Sequence, residues 1–404
     1  MHTFIKKLGP GLIFAGASIG VSHLVQATRA GADFGFGLVW ALLLIHAVKY
    51  PFFQFGARYT AVTGESLLDG YKKLGKGVLT FYFLLTLATM FTIQTAVTIV
   101  TAGLASSLFG SFVSIEIWTV IITLVCLLLL IRGKYKLLDY LMKLIIVVLT
   151  LSTLIAVSLA LFKNTKTLHF HQVLPETSLG IVFLISFMGW MPAPLDLSVF
   201  QSLWVVEKKK QVTKLSPKAV IFDFNVGYLT TVLLGLAFIM LGTFIMYDSG
   251  KTFSNSAGLF SAQFINMYTQ SLGTWSYLII GVAAFTTMFS TTLTTLDASP
   301  RAMSKTSQLL FADKTFFNYT FWIILLTMGT LSIFFFLASE MGLLIKIATL
   351  LSFITAPFYA VVNYGLVCSK HMPKKWKPSI KMHLLSWIGI IALVGFTYWF
   401  LITF

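Results

Sequence analysis

Charge is what this chain has least of. Only 10% of its 404 residues are Asp, Glu, Lys or Arg, and just 13 of them are acids. There are two cysteines, Cys126 and Cys368, each in or at the end of an apolar stretch. That excludes a disulfide-stapled framework, and no Cys/His cluster has the spacing of a metal site. No glycine-rich phosphate loop is present, and no nucleophile triad can be assembled, so neither an enzyme nor an ATP-driven machine is expected. No long hydrophilic stretch exists, so residues 1–404 read as one domain without a soluble appendage. What is abundant is apolar: 57% hydrophobic and 15% aromatic residues, with a mean hydropathy of +0.88. A soluble domain has no use for so much apolar surface, and an integral membrane protein is implied.

Apolar runs long enough to span occur at about eleven places. They are roughly 9–31, 35–57, 77–106, 113–131, 137–162, 179–205, 218–246, 273–297, 317–338, 342–368 and 382–403. The net charge of +16 sits in the short loops between them. Of 29 lysines and arginines, 22 fall in alternate loops, from Lys6 and Lys7 through Lys208–Lys210 to Lys381. The opposite loops hold Arg29, Lys163, Lys166 and Lys251. Such asymmetry is a topology signal and not a nucleic-acid face; it puts the N-terminus in the cytoplasm and the C-terminus outside a plasma membrane of prokaryotic type. Lys6-Lys7 before Leu12–Ala17 resembles a signal peptide, but no polar mature domain follows, so a first membrane segment is read.

Two segments cannot cross as plain rods. In the first, Leu12–Ala17 can be helical, Ser18-Ile19-Gly20-Val21-Ser22-His23 is weak helix at mid-depth, and Leu24–Ala30 can resume. In the sixth, Leu179–Gly189 is followed by Trp190-Met191-Pro192-Ala193-Pro194, where two prolines lack N–H donors, before Leu195–Val206 resumes. Broken helices five segments apart point to two inverted five-helix repeats, about 9–162 and 179–368, with 382–403 as an extra helix. Such breaks mark a transport site at the midplane.

Ionisable groups inside a membrane are costly and invite a functional reading. Asp196 follows the sixth break and is either an N-terminal cap of the second half-helix or a coupling group. His23 lies at the first break, where an imidazole could bind a metal, hold a proton, donate to an anion or tie down unwound carbonyls. Ser18 and Ser22 offer oxygens, and Gln26 and Thr28 are polar lining candidates. Asp139, Asp223 and Asp297 fall nearer segment ends, as ion pairs or gates. Lys49, Lys143 and Lys346 read as snorkelling side chains. The hydroxyl-rich eighth segment, Thr286 to Thr295, is expected to bond mainly to its own helix, with a monovalent cation site as the other reading.

Several stretches resemble the Nramp (natural resistance-associated macrophage protein) family of proton-coupled divalent-metal transporters. They are Gly9-Pro10-Gly11, Ala30-Gly31-Ala32-Asp33-Phe34-Gly35, Val62-Thr63-Gly64-Glu65 and Met191-Pro192. The resemblance implies a LeuT-like fold of eleven helices, with helices 1 and 6 broken and a monomer sufficient. The departures fall on the metal site. Where the family has Asp-Pro-Gly-Asn, this chain has Gly20-Val21-Ser22-His23. Where it has Met-Pro-His-Asn, this chain has Met191-Pro192-Ala193-Pro194. Its acidic pair in the third helix aligns with Val97 and Val100. With those ligands gone, the expected cargo is a small anion such as bicarbonate, or another small carboxylate-bearing solute, held by Gly20, Ser22, His23, Met188, Met191 and Ala193. Ser18, Gln26, Asp196, Asp223 and Asp297 are expected in coupling or gating, with H+ or Na+ as coupling ion and no cofactor. The alternative is a proton-coupled divalent-metal transporter with a site rebuilt from His23, Asp196 and Met191.

Overall fold

The computed structural model describes residues 9–403 except 111–112, 164–169, 213–214, 248, 251, 312–315 and 337–340. At 133–139, 163, 271–272 and 403 it describes the backbone alone. Lys6, Lys7, Lys166, Lys214, Lys251 and Lys314, and the side chains of Lys134, Lys136, Asp139 and Lys163, therefore lie outside the described residues. Among those described, the protein is all helix and turn.

The first segment is interrupted, as its sequence predicts. Helix α1, Pro10–Ser18, starts on a proline that needs no N–H partner. The chain leaves the helix at Ile19 and Gly20, resumes as a π-wound turn over Val21–Ala27, and continues as α2, Thr28–Phe34. Then follow α3 (Val39–Thr63), the short α4 (Leu67–Leu74), α5 (Lys76–Phe109) and α6 (Ile115–Lys163). The sixth segment is also interrupted: α7, Ser178–Trp190, stops before Pro192 and Pro194, and α8, Leu197–Gln211, restarts beyond them. The order then repeats with α9 (Pro217–Met246), the surface helix α10 (Ala257–Leu272), α11 (Ser276–Leu310), α12 (Tyr319–Phe336) and α13 (Met341–Cys368), followed by α14 (Ile380–Thr403). Each half thus runs broken helix, long helix, short helix, then a helix of 34 or 35 residues, α5 or α11. This is the LeuT-like arrangement.

Nine helices among the described residues are long and apolar enough to cross a membrane. The expected second segment forms α3, 25 residues long but interrupted in hydropathy by Lys49 and Arg58. The sixth is split in two. One expectation differs. The loop foreseen between the fourth and fifth segments is helical backbone within α6, whose Ile115–Arg132 and Tyr140–Phe162 stretches are the two spans. Gly133 is the one weak helix former there, among residues that favour helix.

The broken first segment is held by α9. Asp223 accepts the backbone N–H groups of Gly9 at 3.1 Å and Gly11 at 2.7 Å, which caps α1 from a neighbouring helix. Gly11 faces Gly227, and Gly31 faces Gly242, so closely that a Cβ at any of the four would strike opposing backbone. Small residues let apolar helices approach where lipid supplies no hydrophobic drive.

Candidate functional site

The two breaks meet. The Ser22 hydroxyl lies 3.2 Å from the Pro192 carbonyl across the gap between them. Gly20 abuts Thr291 of α11, where any Cβ would collide with the threonine side chain. Its φ of −133° is open to other residues, so close approach is what calls for glycine here. Backbone freed by the first break finds partners in side chains. Ser22 Oγ is 2.6 Å from Ser18 O, and Thr291 Oγ1 is 3.2 Å from Gly16 O. Unwound backbone is tolerated in a membrane when it is satisfied in this way or faces a cavity.

A cavity opens beside the junction. It is lined on the first break by Ala17, Ser18, Val21 and Ser22, and on the sixth by Trp190, Ala193, Pro194 and Asp196. Phe200 and Trp204 of α8, Val97 of α5, and Thr291, Thr294 and Thr295 of α11 complete the parts that matter here. Its volume is about 50 Å³, where one water needs roughly 10–15 Å³. It therefore suits a single small ion with a few waters. Asp196 is the ionisable residue in this wall. It occupies the N-cap position of α8, yet its carboxylate makes no capping hydrogen bond. The sequence reads it as an N-terminal cap or a coupling group; no side-chain cap bond forms, though the N–H groups of Leu197 and of Asp196 itself and the charge of Lys49 act on the carboxylate. Ser18 Oγ, also in the wall, is buried without a hydrogen-bond partner. The Thr294 hydroxyl donates to the Ser290 carbonyl of its own helix and that of Thr295 to Gln94 Oε1, which leaves oxygen lone pairs for a ligand.

The other expected site residues stand elsewhere. His23 is fully buried and turned away, with Nε2 at 2.9 Å from the Thr231 carbonyl of α9. A carbonyl only accepts, so Nε2 carries a proton, and Nδ1 sits 2.7 Å from Ser22 Oγ. His23 therefore ties unwound chain to α9. Met188 and Met191 are buried in packing and are absent from the cavity wall, as is Gln26, buried in the π-wound turn. Asp223 caps α1. Asp297 is not in the wall although its neighbour Ala298 is, and it is bound by Arg301 at 2.6 Å, by Tyr319 at 3.0 Å and by the cavity-lining Trp204 at 3.4 Å. Of the expected set, Ser18, Ser22, Ala193 and Asp196 are brought together.

Two important residues differ from the sequence reading: Gln94 is not among the candidates, and Lys49 has another role there. Gln94 of α5, one turn before Val97, accepts from Thr295 at 2.7 Å and donates to the Thr292 carbonyl at 3.2 Å. It fixes α5 against the wall of α11. Lys49 of α3 was expected to snorkel and does not. It is fully buried, and its ammonium donates to the carbonyls of Met188 at 2.9 Å, Gly189 at 2.7 Å and Ala193 at 3.2 Å. Met188 and Gly189 end α7 and Ala193 lies in the break that follows. Lys49 lies only about 12 Å of helix from the expected end of its segment, which is why the sequence alone suggested an exit to the headgroups.

Among the described residues no three of His, Cys, Asp and Glu converge on a metal position. Of the residues named for a rebuilt metal site, Asp196 lines the cavity, while His23, bonded to Thr231, and Met191 lie outside its wall. Asp196 stands with hydroxyls instead.

The family model for natural resistance-associated macrophage protein-like chains matches residues 11–403. An uncharacterised protein of Pasteurella multocida is 34% identical, covering 99% of this chain and 93% of its own. Crystal structures of a manganese transporter from Eremococcus coleocola superpose with TM-scores of 0.73 and 0.74 at 12% and 14% identity, over 98% of this chain and 86% of theirs. Mhp1, a nucleobase-cation-symport-1 family transporter, superposes with a TM-score of 0.62 at 14% identity, over 98% of this chain and 93% of its own.

Proposed function

The chain belongs to the Nramp family, and from that premise we propose that it is an ion-coupled secondary transporter whose cargo is a small hard cation, a divalent metal ion first of all. The observation that carries this reading is Asp196, the ionisable residue in the wall of the cavity where the two breaks meet. A carboxylate, the free hydroxyl of Ser18 and threonine oxygens form a set of hard donors. Mg²⁺ and similar ions are held by one or two carboxylates while keeping part of their water shell. The cavity has room for such a partly hydrated ion. The manganese transporters of the same fold support the same class of cargo.

The anion reading drawn from the sequence gives way to this one. Bicarbonate would meet Asp196 in a wall that has no lysine, arginine or histidine. His23, the expected anion donor, is engaged with Thr231. Helix N-termini favour anions, but at α8 that field acts first on Asp196 itself. Coupling to H+ or Na+ is part of the proposal, with Asp196 the group that exchanges cargo for the coupling ion.

The test is uptake by proteoliposomes of Mn²⁺ and Mg²⁺, with bicarbonate as comparison. Uptake of at least one metal is expected, and Asp196→Asn should reduce it by about tenfold or more, since that is roughly the 1.4 kcal/mol of one weakened charge-assisted contact. Bicarbonate uptake without metal uptake, or metal uptake indifferent to Asp196→Asn, contradicts the reading.

A further inference from the structure

An ammonium group buried in a membrane protein is costly unless its protons find oxygen. Lys49 meets that condition in one particular place. Met188 and Gly189 close the last turn of half-helix α7, whose carbonyls carry the negative end of the helix dipole. Ala193 belongs to the unwound stretch that follows. The ends of half-helices and unwound carbonyls are the backbone groups with which broken-helix transporters coordinate small cations. Here that oxygen cluster surrounds Lys49 Nζ at 2.7–3.2 Å. A lysine that merely capped a helix end would leave a proton to water. This one is fully buried, with three N–H groups and three carbonyl partners.

We propose that the sixth break is a monovalent-cation site whose occupant is tethered: the Lys49 ammonium takes the position of a free ion. The site belongs to the backbone of α7 and the break, and α3 delivers the ion through a four-carbon stem. The ionisable groups near enough to act on it are Asp196 and His46. Two consequences follow. The carbonyls of Met188, Gly189 and Ala193 are withdrawn from cargo binding, which leaves Asp196 and the hydroxyls to hold it. And the sixth break keeps its shape without any ion from solution.

The Lys49 site adjoins the cargo cavity and shares Ala193 with its wall, but its test uses no cargo, so it stands or falls apart from the transport assay. Purified full-length protein is melted in ammonium, sodium or choline chloride at constant ionic strength. The native protein should melt alike in all three. Lys49→Ala leaves the oxygens without a donor but opens room for an ion; its melting temperature should rise in ammonium or sodium, saturably and by roughly 2–4 °C over choline. Lys49→Met keeps the stem in place and blocks the room, so it should be destabilised and indifferent to cation. If Lys49→Ala and Lys49→Met behave alike in every cation, whether both fold or both fail, the tethered-ion account is wrong. It is wrong as well if the native protein itself is stabilised by ammonium to the extent expected of Lys49→Ala.

Discussion

At the residue scale, the site is defined by where hydrogen-bonding capacity is spent and where it is left over. His23 Nε2–H donates to the Thr231 carbonyl, and Nδ1 packs 2.7 Å from the Ser22 hydroxyl oxygen. Its replacement should therefore harm the fold more than the cargo. His23→Ala removes a buried ring and strands the Thr231 carbonyl, at a cost of about 2–5 kcal/mol. It should lower the melting temperature markedly, while protein that folds retains its KM for metal. A raised KM at unchanged stability would return His23 to the cargo site. Gly20 is set by space: Gly20→Ala must push against Thr291, a misfit costing about 1–3 kcal/mol. Adding Thr291→Ala should restore part of the stability seen in thermal melts, because the atoms met first are those of the threonine side chain.

At the scale of elements, an ion pair between two helices clasps the face that carries Lys208–Lys210. Lys305 of α11 reaches Asp69 of α4 at 2.8 Å, while Ser66 and Asp69 form a capping box at the start of α4. Burial works against ionisation of Asp69, but Lys305 and the Ser66 hydroxyl and N–H outweigh it and hold the carboxyl below its usual range. A lowered carboxyl contributes stability above its unfolded value and loses it as pH falls through the folded one. The clasp should therefore survive mild acid and open only below the ordinary carboxylate range. Both partners are partly exposed, so Asp69→Asn should cost no more than about 1 kcal/mol. A melting series from neutral to acid pH, native against Asp69→Asn, should show the two curves converging at low pH. Curves that stay parallel to the lowest pH would show that the charge of Asp69 contributes nothing. Trp204 links this face to the cavity, since its ring lines the wall and its N–H reaches Asp297.

At the scale of the whole molecule, the architecture was legible in the sequence because the bilayer imposes it. Spans must be apolar and about 20 residues long, and breaks need glycine, proline and polar residues at mid-depth. Gly20 and the Pro192–Pro194 pair gave both interruptions to within a few residues. Asp196 was legible as an acid after a break. Its choice between cap and coupling group was not, because that depends on side-chain direction. Side-chain direction also hid the roles of His23 and Lys49. Spacing places a residue at a depth, but packing decides whether it faces the cavity, α9 or the sixth break. The anion reading followed from the missing metal ligands and counted on His23 as one donor, which it loses when the ring faces Thr231.

The account turns on a cation resting between the two breaks, against Asp196. Anomalous diffraction at the manganese edge, from crystals of the full chain grown with Mn²⁺, tests this most directly. The account predicts a peak in the cavity, close enough to the Asp196 carboxylate for direct or single-water coordination, and no peak in crystals of Asp196→Asn. A peak seated instead among the carbonyls of Met188, Gly189 and Ala193, or one that persists in Asp196→Asn, would contradict it.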